Sequence, residues 1–313
     1  MNGIWLQAGQ VSFRDDLPTP LAAEGEVLLQ VERAGICGTD MAMLAGYADY
    51  IGVPGHEFVA TALDGVYQGQ RVVADINVGC GQCPRCHRDG NGHHCGERSV
   101  VGIRTKPGAF ADQVAVPEAN LVPVPASLPD ELAVLAEPTA AALQVLETVD
   151  TARITSALVV GAGRLGTLVT WVLASAGVDV AVVARTAERI ERLPPVRTNP
   201  APGEQFDLVV ECSGNPDALA LALGATQPRG ILTLKSTYPG LVPMDMSQLV
   251  VDEITLVGSR CGDMPAALGW LEAHGEKLEL PQATFSLSRC QAAFSAAATS
   301  AFYKVCFVPQ GGD

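Results

Sequence analysis

Between Val78 and Glu97 the chain reads VGCGQCPRCHRDGNGHHCGE, which places four cysteines and three histidines in one short segment. The repeated Cys-x-x-Cys spacing suits a metal ion. Four thiolates at Cys80, Cys83, Cys86 and Cys95 would fill a tetrahedral zinc shell and leave no position for a substrate, so this site is expected to be structural. A second kind of chemistry lies further along. VVGAGRLG carries Gly161, Gly163 and Gly166 in Gly-x-Gly-x-x-Gly spacing, after a strand-like run and directly before TLVTWVLASAG. There the first glycine permits a tight turn, the second lets the backbone approach a pyrophosphate, and the third allows close helix packing. The helix N-terminus at Arg164 and Leu165 would donate its free amides to phosphate oxygens.

Which dinucleotide fits is written at the end of the next strand, VAVVARTAER. NAD sites usually place an acid there, but this chain has Ala184 and Arg185, and Asp179 lies at the wrong end of the strand. Arg185 with Thr186 suits a 2′-phosphate, so NADP is preferred over NAD.

These groups need a scaffold, and the pattern of the chain supplies two. From Gly25 to Val124, short Val-rich runs such as EVLLQVERAG and GQRVVADI alternate with Gly and Pro, which reads as strand and turn. After SLPDELAVLAEPTAAALQVLE, a helical connection expected to start near Ser127, the runs ALVVGAG, VDVAVVAR, DLVVECSG and GILTLKST alternate with helix-compatible stretches. That alternation argues for an α/β, doubly wound parallel sheet with helices on both faces. The segment from Arg192 to Gln205 holds four prolines and implies a shortened crossover. The nearly uncharged stretch from Ala157 to Ala184 is long enough for a membrane span, but its glycines describe strand, helix and strand.

A chain of 313 residues, 48% apolar and 17% charged, is expected to form two packed domains. A net charge of -14 without a basic cluster argues against nucleic acid and anionic membranes as partners. The first residues lack a basic start followed by an apolar run, and a cytoplasmic location is expected.

Three further stretches, AGICGTD (34–40), PGHEF (54–58) and VLAEPTAAAL (134–143), complete a recognisable order. With the four-cysteine lobe and the nucleotide loop, the chain resembles the zinc-dependent medium-chain dehydrogenase/reductase family, which includes alcohol and sorbitol dehydrogenases. The resemblance implies a GroES-like β-rich catalytic domain made of residues 1–130 and 275–313, with a Rossmann dinucleotide-binding domain at 131–274. It implies two zinc ions per chain. The catalytic zinc would be held by Cys37, His56 and Glu137, with Glu57 a neighbouring carboxylate able to reach the metal. Such a set, three protein ligands and one open position, is what a catalytic zinc requires. By the same resemblance Thr39 would take the substrate proton, Asp40 would orient the ligating histidine, and the protein would form a homodimer or dimer-based tetramer through the strand in DEITLVGS (252–259).

The expected reaction is hydride transfer between NAD(P)(H) and a small or medium alcohol, polyol, aldehyde or ketone. A zinc-independent enone or quinone reductase and a non-catalytic NADPH-binding redox sensor or interaction protein are the rival readings. Two departures matter. The family's usual lobe spacing would land on His94, so the fourth ligand is Cys95 or His94; Cys95 is favoured because the glycine-rich loop RDGNG absorbs one extra residue. Where many relatives carry a proton-relay histidine, DMAMLAGY offers Met41, Ala42 and Met43.

Overall fold

A computed structural model describes residues 1–46, 49–90, 92–238 and 240–309. The last four residues of the expected catalytic segment, 310–313, lie outside them. The chain divides into two compact units. One comprises Met1–Glu137 and the segment from Met264 onward; the other is Pro138–Asp263.

In the first unit, the ten-residue strand Glu26–Gly35 is the organising element. Its alternating burial marks one face turned to the core. It pairs antiparallel with Glu57–Ala62 and Gln113–Pro117, and also with Lys304–Phe307 from the far end of the chain. The register sets Gly35 opposite Glu57 on one side and Cys306 on the other. Arg71–Ala74, Leu121–Pro123 and Gln282–Phe285 complete the seven-stranded sheet. Phe110 contacts Phe294 and Phe307 edge-on, at centroid separations of 6.1 and 5.0 Å, so residues remote in sequence share one core.

The second unit is a six-stranded sheet whose pairings are all parallel. In spatial order the strands are Arg197–Thr198, Asp179–Val183, Ser156–Val160, Phe206–Glu211, Thr226–Leu234 and Thr255–Gly258. Numbered along the chain this is 3-2-1-4-5-6, the doubly wound Rossmann order, with its switch point beside the first strand. The proline-rich crossover is reduced to the four-residue helix Ala187–Ile190 and a two-residue strand. The apolar stretch considered as a membrane span is strand, the helix Arg164–Ser175, and strand. Among the described residues no helix is long and apolar enough to cross a membrane.

The single connection expected from Ser127 is instead two helices, Asp130–Ala133 and Ala136–Glu147. Pro138 explains the break. Inside a continuous helix its ring would strike the carbonyl of Val134, whereas in the first turn of a new helix its missing N–H costs nothing.

Candidate active site and metal centres

The strand Glu26–Gly35 ends by delivering Cys37 to the start of the helix Gly38–Leu44. Cys37 is the N-cap: its Sγ accepts from the Thr39 N–H at 3.4 Å, while Asp40 Oδ2 accepts from the Cys37 N–H at 2.8 Å. This reciprocal cap fixes the thiol, the Thr39 hydroxyl and the Asp40 carboxylate as one unit. The Thr39 hydroxyl lies 3.7 Å from Cys37 Sγ. His56 arrives by a turn in which Gly55 has φ +100°, and a Cβ on Gly55 would come within 2.5 Å of the Phe110 ring. Only glycine fits there.

His56 and Asp40 are buried, and His56 Nδ1 faces Asp40 Oδ1 at 3.5 Å. Ligand atoms of Cys37, His56 and Glu57 all lie within 4.8 Å of one another. Glu137, in the first turn of the helix Ala136–Glu147, is half-buried and stands outside that close group. Burial raises its pKa to about 7, with Glu57 and Asp75 adding to the rise and His56 and Lys304 opposing it. For His56, burial disfavours the imidazolium, yet the Asp40 carboxylate and the Cys37 sulfur raise its pKa well above the usual value. Sulfur, imidazole and carboxylates thus converge on a buried point that already attracts a proton, and this donor set suits zinc, which binds neutral imidazole and thiolate.

Sequence reasoning missed Lys304. Its ammonium forms an ion pair with Glu57 Oε2, and both side chains are only 1% exposed. The signal available was a lone charge inside the apolar run FYKVCFV.

In the cysteine lobe, the sulfurs of Cys80, Cys83, Cys86 and Cys95 lie within 4.8 Å of one another. Cys83 Sγ is 3.5 Å from Cys86 Sγ and 3.9 Å from Cys95 Sγ, and all the chain's cysteines are free. Cys95 thus joins the other three, while the His94 carbonyl accepts from Arg85. Asn91, in the loop expected to absorb the extra residue, lies outside the described residues. The Cys86 N–H holds the Cys83 thiol down to about 6, the Cys80 N–H lowers Cys95, and burial pushes Cys86 up to about 11. Four sulfurs crowded this closely, two of them made acidic by backbone donors, fit a bound cation. Gly79 leaves the room, since a Cβ there would sit 2.8 Å from Cys86 Sγ.

At the nucleotide loop the three glycines meet three separate demands. Gly161 has φ +101° and would press a Cβ against Ser213. A Cβ on Gly163 would meet nothing within 4 Å, which leaves the approach to this helix N-cap open. A Cβ on Gly166 would sit 1.8 Å from the Gly161 carbonyl oxygen. The twelve-residue helix beyond has no acid in its first turn, as an anion site requires. Arg164 and Leu165 are its first residues, both half-buried.

Arg185 is exposed and Thr186 caps the helix Ala187–Ile190. Asp179 pairs with Arg197 at 3.1 Å, at the strand's opposite end. Arg189 was not foreseen. Burial lowers its pKa first, and Arg185, Arg164 and Arg192 lower it further, so four guanidinium groups crowd around the ends of the first two strands.

Residues 23–126 match the alcohol dehydrogenase GroES-like domain and residues 172–273 the zinc-binding dehydrogenase domain. An L-threonine 3-dehydrogenase of Pyrococcus horikoshii is 32% identical over 267 residues, covering 75% of each chain. Its counterpart from Legionella pneumophila strain Philadelphia 1 is 28% identical over 285 residues, covering 82% of this chain and 81% of the relative. Among solved structures, an Escherichia coli CFT073 short chain alcohol dehydrogenase complexed with NADH superposes with a TM-score of 0.86 at 26% identity, covering 98% of this chain and 99% of that one. A Sinorhizobium meliloti 1021 zinc-binding dehydrogenase bound to NADP shares the fold at a TM-score of 0.87 and 23% identity, covering 98% and 99%. The chain belongs to the zinc-containing medium-chain dehydrogenase/reductase family and is an NAD(P)-dependent oxidoreductase of the alcohol dehydrogenase class.

Proposed function

We propose that the protein oxidises a small or medium alcohol or polyol, or reduces the matching aldehyde or ketone, with one catalytic and one structural zinc per chain and NADP as the preferred cofactor. The observation that carries the catalytic assignment is the gathering of Cys37, His56 and Glu57 ligand atoms within 4.8 Å, with Asp40 against the imidazole. Cys37 and His56 supply two ligands; Glu137, which stands outside that close group, is taken as the third on the family resemblance, with Glu57 the neighbouring carboxylate. The lobe of Cys80, Cys83, Cys86 and Cys95 offers four sulfurs, so its metal holds shape and has no open position.

Zinc, when bound, supplies a Lewis acid that makes an alcohol easier to deprotonate or a carbonyl easier to reduce. The chain's own residues do the rest. Asp40 faces His56 Nδ1 at 3.5 Å and would orient the ring so that Nε2 ligates. Thr39 presents its hydroxyl beside Cys37 and takes the substrate proton, which leaves without a histidine relay because Met41, Ala42 and Met43 follow. In the oxidative direction the carbinol C–H bond breaks, its hydride passes to the nicotinamide, and the hydroxyl proton goes to Thr39 and then to water.

The loop of Gly161, Gly163 and Gly166, with the amides of Arg164 and Leu165, binds the pyrophosphate. Arg185 and Thr186, supported by Arg189, bind the 2′-phosphate; the arginine cluster and the absent strand-end acid support this choice. We further propose that two copies pair through the edge strand Thr255–Gly258, whose neighbours Met246, Val250 and Val251 are exposed apolar residues.

The test is metal content per chain followed by turnover of a panel of alcohols and aldehydes, L-threonine included, with each cofactor. Two zinc ions and faster turnover with NADP support the reading. A single zinc retained by the lobe, with no turnover, rejects it.

A further inference from the structure

Lys235 directly follows the fifth strand of the parallel sheet and is half-buried. Its ammonium donates to the Ala141 carbonyl at 2.7 Å, to Ser259 Oγ at 3.1 Å and to the Arg260 carbonyl at 2.7 Å. A compact head with three donors suits acceptors that converge from separate stretches of chain. Ala141 lies in the helix Ala136–Glu147, while Ser259 and Arg260 open the segment that leaves the sixth strand. That segment meets the same helix a second time. A Cβ on Gly262 would sit 2.0 Å from the Ala140 carbonyl oxygen, so residues 259–262 are fastened to the helix near both of their ends. The Ser259 N–H also donates to the Leu234 carbonyl at 3.0 Å, which ties the segment to the fifth strand.

Strand register gives this brace its place in the nucleotide unit. Val183, Val160, Glu211, Leu234 and Gly258 stand in line across five neighbouring strands, each the last residue of its own. The glycine loop leaves from Val160, and Arg185 follows Val183. A dinucleotide laid across the switch point, with its pyrophosphate at that loop and its 2′-phosphate at Arg185, carries its nicotinamide half over the ends of the other three strands. Lys235 stands there.

We propose that Lys235 is a positioning residue for the nicotinamide half of the cofactor: it holds residues 259–262 against the fifth strand and the helix, and so fixes the wall on which the ring rests during hydride transfer. The inference rests on the cofactor site proposed above. Hydride transfer is sensitive to such fixing, because a misplacement of about 1 Å can cost about a hundredfold in rate. The adenosine half is held on the far side of the glycine loop and does not depend on the brace. A merely structural lysine would disturb both halves alike or neither.

The experiment compares Lys235→Met with the wild type in calorimetric binding of NADPH and of 2′-phospho-ADP-ribose, the same molecule without its nicotinamide, with NADH and ADP-ribose in parallel. Loss of charge-assisted bonds should weaken binding of the whole cofactor about tenfold. Affinity for the matching fragment should be unchanged. With the best substrate of the panel above, kcat should fall at least about tenfold while the substrate KM stays near the wild-type value.

Equal loss of cofactor and fragment affinity, or wild-type cofactor affinity and kcat in folded Lys235→Met, overturns the proposal. Should Lys235→Met not fold, Ser259→Ala removes one acceptor and keeps the charge. It should show the same split at about fivefold, and wild-type cofactor affinity and kcat in that variant overturn the proposal equally. A wild-type protein that binds neither cofactor nor fragment would instead reject the underlying cofactor site.

Discussion

Asp40→Asn is the sharpest test of how the site is held. Asp40 uses one oxygen to cap the Cys37 N–H at 2.8 Å and the other to face His56 Nδ1 at 3.5 Å. Asparagine keeps an oxygen for the cap, so the helix Gly38–Leu44 should lose no more than about 1 kcal/mol. What changes is the group facing the imidazole. An amide NH2 requires an acceptor at Nδ1, which moves the ring proton to Nε2, the nitrogen left for the metal. Groups that orient a metal-ligating imidazole are worth about ten- to a hundredfold in metal affinity. Zinc affinity at this site should therefore fall by about ten- to a hundredfold with little change in melting temperature of the apoprotein. Chelator competition measures it. A variant that binds zinc within about twofold of the wild type would refute the orienting role of Asp40.

Gly166→Ala forces a Cβ to 1.8 Å from the Gly161 oxygen, so it should destabilise the protein by about 1–3 kcal/mol and abolish cofactor binding; thermal melts and cofactor titration check both. Cys95→Ala should lower zinc content by one ion per chain and leave the Cys37-dependent zinc in place, whereas equal loss from Cys95→Ala and His94→Ala would show that the lobe is closed differently. Replacing Arg185 and Arg189 together by Ala should weaken NADP binding at least about tenfold and leave NAD binding nearly unchanged, since a charge-assisted pair is worth about 1.5–3 kcal/mol. Equal losses for both cofactors would remove the arginines from the 2′-phosphate site.

The nucleotide unit was legible because its signals are local. A glycine fingerprint between a strand and a helix is complete within a few residues, and the backbone itself shows why: Gly161 turns at φ +101° and Gly166 has no space for a methyl group. The proline-rich run from Arg192 to Gln205 likewise announced its own short crossover. The break before Ala136 was missed because helical periodicity runs on through Pro138, and only the clash of a proline ring with the preceding turn interrupts it.

The sequence by itself determined the kinds of candidate ligands and their order: the four-cysteine run, Cys37 with its capping Asp40, His56 beside Glu57, and the glycine loop. Residue type and short spacing carry that information, since thiolates three apart and a capping box are local objects. Tertiary structure alone decided which of these groups meet. It set Cys95 rather than His94 among the sulfurs, drew Arg189 toward Arg185, and gathered Glu57 with Cys37 and His56 while Glu137 stands outside that close group. It also brought Lys304 across Gly35 to Glu57, a contact spanning 247 positions in sequence. Such a pairing depends on strand register between the two ends of the chain, and register follows from the packed face of the whole sheet.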